Sequence, residues 1–405
     1  MYGRERRDTF GEPDAPARSD RHLMGSSIMF SAKDMGRPVP FIKPDWAYTY
    51  TEADLENREH TEITSGYWWL EVSGELDVID DAERIRDELL RILYGVWDHI
   101  KNQPGHHADN YALDWVGVIP GRRESRRLTG DYVLTEQDIL TCRAFPDVAA
   151  YGGWDMDVHV PNGFFSLDCK PTTYYRTTDL YGIPYRCMYS RNVENLFIAG
   201  RAISASHIAF GSTRVMGTCA VVGQAVGTAA SVALSHGLRS ARAVGEHIQE
   251  LQQTLMKYDC YLPGVYNTDA RDLARTATAS ATSCRPGCEP EKVRSGCSRN
   301  VGDQNHRYVS HGISPEGERL TLQWTAPVTA DEVIVRFDSN LLYELTITQS
   351  DWIRSRQRDF PIELVRDFDV ELYLGGALQK KIEVRGNIQR SRYVRFDTAT
   401  FDKLV

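Results

Sequence analysis

The chain has 405 residues, 41% hydrophobic and 25% charged, with a formal net charge of −9 and a pI near 5.7. That length holds two or three domains with ordinary globular cores, and the acidic balance argues against a nucleic-acid binder. No apolar run reaches the roughly 18–20 uninterrupted residues of a membrane span. The longest, 220–234, is broken by Gln224, Thr228 and Ser231 and suits a buried helix.

Met1 is followed by YGRERRDTFGEPDAP, polar and charged with no hydrophobic strand, and the closing FDTATFDKLV stops inside what reads as a strand. Both ends therefore read as truncations, which leaves localisation unknown. Residues 25–35 read as a strand, and the aromatics Trp46, Tyr48, Tyr50, Tyr67, Trp68 and Trp69 as core and sheet packing or as a substrate-facing aromatic surface. Residues 80–101 form the clearest amphipathic helix, with Ile85, Leu89, Ile92, Leu93, Val96 and Trp97 on one face and Asp80 or Asp81 as N-cap. The His106-His107 pair in the following loop reads as solvated. A strand is expected over 113–119. The arginines 122, 123, 126 and 127 form either a salt-bridged face or a counter-charge for a bound anion, with Arg126 and Arg127 favoured for the second role. Thr135, Gln137 and Asp138 mark a helix start.

In WDMDVH, Asp155, Asp157 and His159 alternate, so on a strand they share one face. Two carboxylates and an imidazole there favour acid/base work and substrate orientation over a metal. Residues 192–234 are the most informative stretch: a strand over 196–199, a Gly200-Arg201 turn, a loop with His207, then a long helix. Its start is expected at Gly211, Ser212 and Thr213, whose amides, with that of Arg214, would face an anionic or electron-rich cofactor. The small residues Gly217, Ala220, Gly223, Ala225, Gly227, Ala229 and Ala230 would let another surface approach closely. A further helix is expected over 241–256 and a linker over 266–303. From about residue 304 the alternating segments LTLQW, DEVIVRF, YELTIT, FDVELYL, KKIEV and YVRF indicate an all-β sandwich.

The stretch 192–234, with GDYVLTEQDIL, FPDVAAYGGWDMDVH and IPYRCMYSRNVENLFIAGR before it, resembles the FAD-dependent oxidoreductases related to the heterodisulfide reductase A subunit. The resemblance covers residues 1–240 and implies an α/β fold of the two-dinucleotide-binding type. That fold is incomplete here, because no G-x-G-x-x-G occurs in the 405 residues. Without that loop the chain is expected to hold FAD weakly. The resemblance places Gly200, Arg201, Gly211, Ser212, Thr213, Arg214 and Arg127 at the flavin. Acid/base duty falls to His159, His207, Asp157 or Asp155, and Tyr181, Tyr185 and Arg186 are placed along the same cavity. A [4Fe–4S] cluster is implied by resemblance only. Of the eight cysteines, Cys284, Cys288 and Cys297 alone cluster, as metal ligands, a disulfide or free thiols. ELVRDFDVELYLGG resembles discoidin-like, galactose-binding-like modules.

The expected organisation is a substrate region with part of the FAD core (1–190), an FAD-contacting strand and helix (191–265), the linker, and the β module (304–405). The expected activity is hydride or electron transfer from a small alcohol- or sugar-like substrate to FAD, with the redox partner unknown. The alternatives are a non-catalytic carbohydrate-binding or scaffold protein with a degenerate flavin site, and an iron–sulfur electron-transfer subunit.

Overall fold

The computed structural model describes residues 1–74, 76–341, 355 and 361–405. The chain divides into a unit built from Met1–Leu251 and a second that begins at Gln252. The first contains helices α1 (Arg7–Phe10), α2 (Ala82–Asn102), α3 (Glu136–Leu140), α4 (His207–Thr213) and α5 (Met216–Ser235). Its strands are β1 (Leu23–Ser27), β2 (Phe30–Asp34), β3 (Glu71–Gly74), β4 (Tyr111–Val116), β5 (Gly121–Arg122), β6 (Val148–Gly152), β7 (Met156–His159), β8 (Thr172–Tyr175) and β9 (Tyr181–Pro184). Helix α6 (Ile248–Lys257) runs across the division.

Helix α2 organises the first core. All six apolar positions of its predicted face are buried, and they pack with Phe30, Tyr67 and Trp69. Phe30 and Tyr67 stack at 4.1 Å. A side chain at Gly95 would meet the Tyr48 carbonyl at 2.6 Å, so glycine lets the helix lie on that backbone. Asp81 stands at the N-cap position, but its carboxylate accepts the Asp77 N–H instead of capping the helix. The aromatics divide: Tyr50, Tyr67 and Trp69 are core, while Trp46 is exposed. The buried Arg58 guanidinium donates to the carbonyls of Asn57, Gly163, Phe164, Ser166 and Cys169, fixing the 163–169 turn.

The sheets here are small: β3-β1-β5, then the pairs β2-β4, β6-β9 and β7-β8. Every described strand pairing is antiparallel. The mixture of helix and strand is as expected, but the parallel sheet of a two-dinucleotide-binding fold does not occur among the described residues. The segment read as a strand over 196–199 makes one bridge, Phe197 with Tyr189, and leaves Leu196 exposed. No neighbouring strand satisfies its other edge among the described residues, so it does not extend as a strand.

Two helix expectations change. Thr135 caps α3 as foreseen, in a reciprocal box with Asp138. The long helix, however, is two helices. Helix α4 is capped by the Ser206 side chain and ends at Arg214, and Val215 precedes α5 in an extended conformation. Helix α5 is long and apolar enough to cross a membrane by length and composition. It is not a fully buried helix: Thr218, Val222, Ala225, Ala229, Val232 and Ala233 are covered, while Met216 and Leu234 are exposed. Nothing among the described residues lies near a Cβ added at Gly217, Gly223 or Gly227, whereas Ala225 and Ala229 are fully buried.

The second unit is an antiparallel sheet in the order β10-β11-β14-β12-β13, from β10 (Thr278–Ala281), β11 (Leu320–Arg336), β12 (Phe368–Leu374), β13 (Ala377–Val384) and β14 (Ser391–Leu404). LTLQW and DEVIVRF are one long strand, and YELTIT lies outside the described residues. Gly375 and Gly376, with φ of 56° and 84°, make the two-residue turn between β12 and β13 that only glycine adopts without strain. Strand β10 lies inside the segment read as a linker and pairs with β11. Ala277, just before it, joins a core around Trp324, Leu372 and Phe401.

Candidate active site

Strand β1 carries two carboxylates through successive amides. Met24 N–H donates to Glu124 at 2.9 Å and Gly25 N–H to Glu71 at 2.6 Å. Each carboxylate then holds a histidine. Glu71 Oε2 lies 2.5 Å from His159 Nδ1, and Glu124 lies 3.0 Å from His207 Nδ1. Both glutamates are at most 2% exposed. Burial pushes both carboxyls up, but Arg123 with His159, and His207 with Arg127, outweigh it and hold Glu71 and Glu124 below the usual carboxylate range.

The first pair extends into a chain. On β7, Asp157 and His159 share a face as expected and approach to 3.4 Å. The Arg214 Nη2 group faces Asp157 Oδ2 at 2.8 Å and His159 Nε2 at 3.0 Å. With arginine as donor, His159 accepts at Nε2 and donates from Nδ1 to Glu71, which fixes its tautomer. Burial lowers the Arg214 pKa. Its Nε and Asp157 Oδ1 are buried with no partner among the described residues. Asp155 is not part of this group; it precedes β7 and accepts the Thr177 N–H at 3.0 Å.

The second pair is held inward. Arg127 is fully buried and braces Glu124 at 3.2 Å and Glu5 at 3.0 Å. It also donates to the carbonyls of Gly3 and Ala205. These contacts tie the N-terminal segment, residue 124 and residue 205 together. Arg126 is exposed and pairs with Asp77 at 3.3 Å. His207 is the first residue of α4 rather than a loop residue, and its Nε2 is buried without a described partner.

The helix start expected at Gly211 is not a helix start. Gly211, Ser212 and Thr213 form the last turn of α4, where amides are spent inside the helix, and the Arg214 amide bonds Phe210 O. The α4 N-terminus already has its anions: Glu5 accepts the His207 N–H at 2.9 Å, and Glu12 accepts the Ser206 hydroxyl. The charged N-terminal run thus works as a strap. Ser212 Oγ bonds Tyr181 at 2.6 Å and donates to Trp154 O at 2.5 Å. Tyr185 donates to Ala241 O, and Arg186 pairs with Asp147. Ser212, Tyr181 and Tyr185 are buried, whereas the Arg186 side chain is 41% exposed. Gly211 is needed for a different contact: a Cβ there would stand 3.0 Å from Asp157 O and 3.1 Å from its N. Gly211→Val should therefore push β7 aside and cost about 1–3 kcal/mol, measured by denaturant unfolding, with the Asp157–Arg214 pair lost.

The open helix start is that of α5. Its first-turn amides Met216, Gly217 and Thr218 have no side-chain cap. The Gly200–Ala202 turn packs beside α5, with Gly200 at φ 69° facing free space and Arg201 exposed. Arg201 donates to Arg122 O and also lines an open cleft of about 570 Å³ with Ser26, Arg86 and Ile119.

Glu12 and Glu136 form a further acidic locus. Glu12 also accepts the Glu136 N–H at 2.8 Å, and burial raises its pKa. Burial, with Asp14 beside it, pushes Glu136 up to about 7. A folded pKa above the unfolded 4.5 means the native state binds the extra proton, so this stability is full below pH 4.5 and is lost as pH rises through about 7. Glu136→Gln should flatten that decline and stabilise the protein at pH 8 by about 1–3 kcal/mol, read from urea midpoints across pH.

Cys284, Cys288 and Cys297 are free thiols, as are the other five cysteines. Cys297 Sγ contacts Arg299 O, and Cys288 Sγ accepts from Asn305. The groups close enough to hold an ion among the described residues do not include them.

Residues 1–255 match the family described as FAD dependent oxidoreductase, and the chain belongs to that family. No curated protein matches the chain. Among solved structures, a fucose binding module of Streptococcus pneumoniae is similar at 14% identity and a TM-score of 0.24, covering 34% of this chain and 84% of that one. The family 32 CBM from C. perfringens NanJ in complex with galactose is similar at 12% identity and a TM-score of 0.22, covering 32% and 80%. Likeness at these TM-scores carries no argument about this chain. The family implies FAD. The uncapped start of α5, the open Gly200 turn and the orphaned Arg214 Nε fit the ring end of that group. The absent G-x-G-x-x-G leaves the sequence without the usual pyrophosphate loop. Glu71, Glu124, Glu5 and Glu12 were missed by sequence reasoning, since each meets its histidine or helix only through the fold.

Proposed function

We propose that residues 1–255 supply the ring end of a flavin site that oxidises a small alcohol- or sugar-like substrate. FAD, when bound, supplies the hydride acceptor. The amides of Met216, Gly217 and Thr218, at the positive end of a 20-residue helix, would hold the anionic edge of the ring. Gly200 gives room for backbone approach. His159, oriented by Glu71, would take the substrate hydroxyl proton once a substrate oxygen replaces Arg214 at its Nε2. Arg214, released in part, would then steady the alkoxide oxygen through its free guanidinium edge. Asp157 keeps that guanidinium in place.

The observation that carries this reading is the position of Arg214. Its side chain closes the Glu71–His159–Asp157 group, and its backbone stands two residues before the open start of α5. Proton acceptor and ring-binding amides are thus joined by one residue. Gly217→Asp tests the site. Space around Gly217 is free, so the fold tolerates the change, and an acid in the first helical turn is locally favourable. FAD affinity should nonetheless fall at least ~10-fold, because the new carboxylate occupies the anion position. Equal affinity in a fluorescence titration would place the ring elsewhere.

A further inference from the structure

Three imidazoles and a carboxylate converge at the C-terminal end of α2, apart from every residue used above. His99 Nε2 lies 3.0 Å from Glu52 Oε2 and 3.1 Å from His106 Nε2. His106 Nε2 lies 3.6 Å from Glu52 Oε2, and His60 Nε2 lies 3.5 Å from Glu52 Oε1. All four ligand atoms fall within 4.8 Å of one another. Two donors bound at roughly 2.0–2.1 Å to a tetrahedral ion stand about 3.3–3.4 Å apart. The spacings in this cluster bracket that value.

The hydrogen bonds behind the rings leave their inner nitrogens available to a cation. His60 Nδ1 faces Arg58 O at 2.5 Å and His99 Nδ1 faces Tyr50 O at 3.2 Å. A carbonyl only accepts, so both rings carry a hydrogen on Nδ1, and as neutral imidazoles each turns an Nε2 lone pair inward. That leaves lone pairs facing a carboxylate and one another. This outer shell, a backbone carbonyl behind His60 and another behind His99, is a usual way of orienting a metal-bound imidazole. His60 and His99 are buried, so the inner side is closed, whereas the Glu52 side chain is 71% exposed and forms the outer lip.

We propose that Glu52, His60, His99 and His106 bind one divalent first-row transition ion, zinc by preference. Three imidazoles and one carboxylate oxygen are donors that zinc accepts in four-coordinate geometry. The ion ties the loop carrying residues 52 and 60 to α2 and to the loop beyond it. His106 turns inward between Gly105, at φ 105°, and His107, at φ 53°. The expectation that the His106-His107 pair is solvated therefore gives way for His106.

The test is metal content and Co²⁺ absorption of the full chain, stripped with chelator and reloaded with Zn²⁺ or Co²⁺. The expected result is one equivalent of either ion per chain and Co²⁺ d–d bands of four-coordinate nitrogen and oxygen ligation. Glu52→Gln, an exposed change that leaves the fold intact, should weaken Zn²⁺ at least ~10-fold in chelator competition. His106→Ala should abolish the Co²⁺ bands. The double change His236→Ala, His247→Ala, at a second and exposed His/Glu group, should alter neither. A folded chain that takes up no Zn²⁺, or one whose Zn²⁺ affinity is the same after Glu52→Gln and His106→Ala, would overturn the proposal.

Discussion

Glu71→Ala should cost the first unit about 3–5 kcal/mol, because it strands Arg123 and His159 in a site closed to water. Arg123 lies 3.2 Å from Glu71, and the Gly25 N–H loses its acceptor as well. The comparison is Arg126→Ala. That pair with Asp77 is half exposed, and its loss should cost under ~1 kcal/mol. Denaturant unfolding followed by the fluorescence of Trp68 and Trp69 separates the two. The loss at Glu71 carries a pH signature. Its folded pKa is depressed, so its stabilisation is present above the unfolded 4.5 and disappears as pH falls through the folded value. The alanine variant should lack that acid limb. Equal costs at Glu71 and Arg126 would mean that the buried network is not what fixes β1.

His159→Asn should slow flavin reduction by about 10²–10⁴-fold, the span of a lost general base, while leaving FAD affinity within about threefold. Asparagine keeps a donor toward Glu71 but has no basic nitrogen to offer a substrate. Anaerobic stopped-flow with a series of small alcohols and sugars measures the step directly. Loss of rate together with loss of FAD would make His159 a structural residue. The comparison with His207→Asn is informative, because His207 faces the buried Glu124 and its loss should leave the rate nearly unchanged.

Local pattern made some of this legible. The face of α2 was readable because six apolar residues recur at helical spacing, and Thr135 with Asp138 announced α3. Alternation in WDMDVH correctly brought Asp157 and His159 together. The break between α4 and α5 was not readable. No proline marks it, and the chain turns where the Arg214 side chain is drawn to Asp157, 57 residues away. The four glutamates were hidden for the same reason. Glu5 and Glu12 lie in a run that reads only as polar and charged, yet they end as the acceptors at the starts of α4 and α3. His60, His99 and His106 meet only after α2 has packed. The β module was legible by alternation, and β10 was missed because Ser/Thr/Ala residues at a sheet edge resemble a linker.

Amide hydrogen exchange of the full chain with and without saturating FAD tests the central assignment most directly. Protection should appear at Met216, Gly217 and Thr218, with the amides of α4 unchanged. Protection in α4 instead, or none at all up to millimolar FAD, would contradict it.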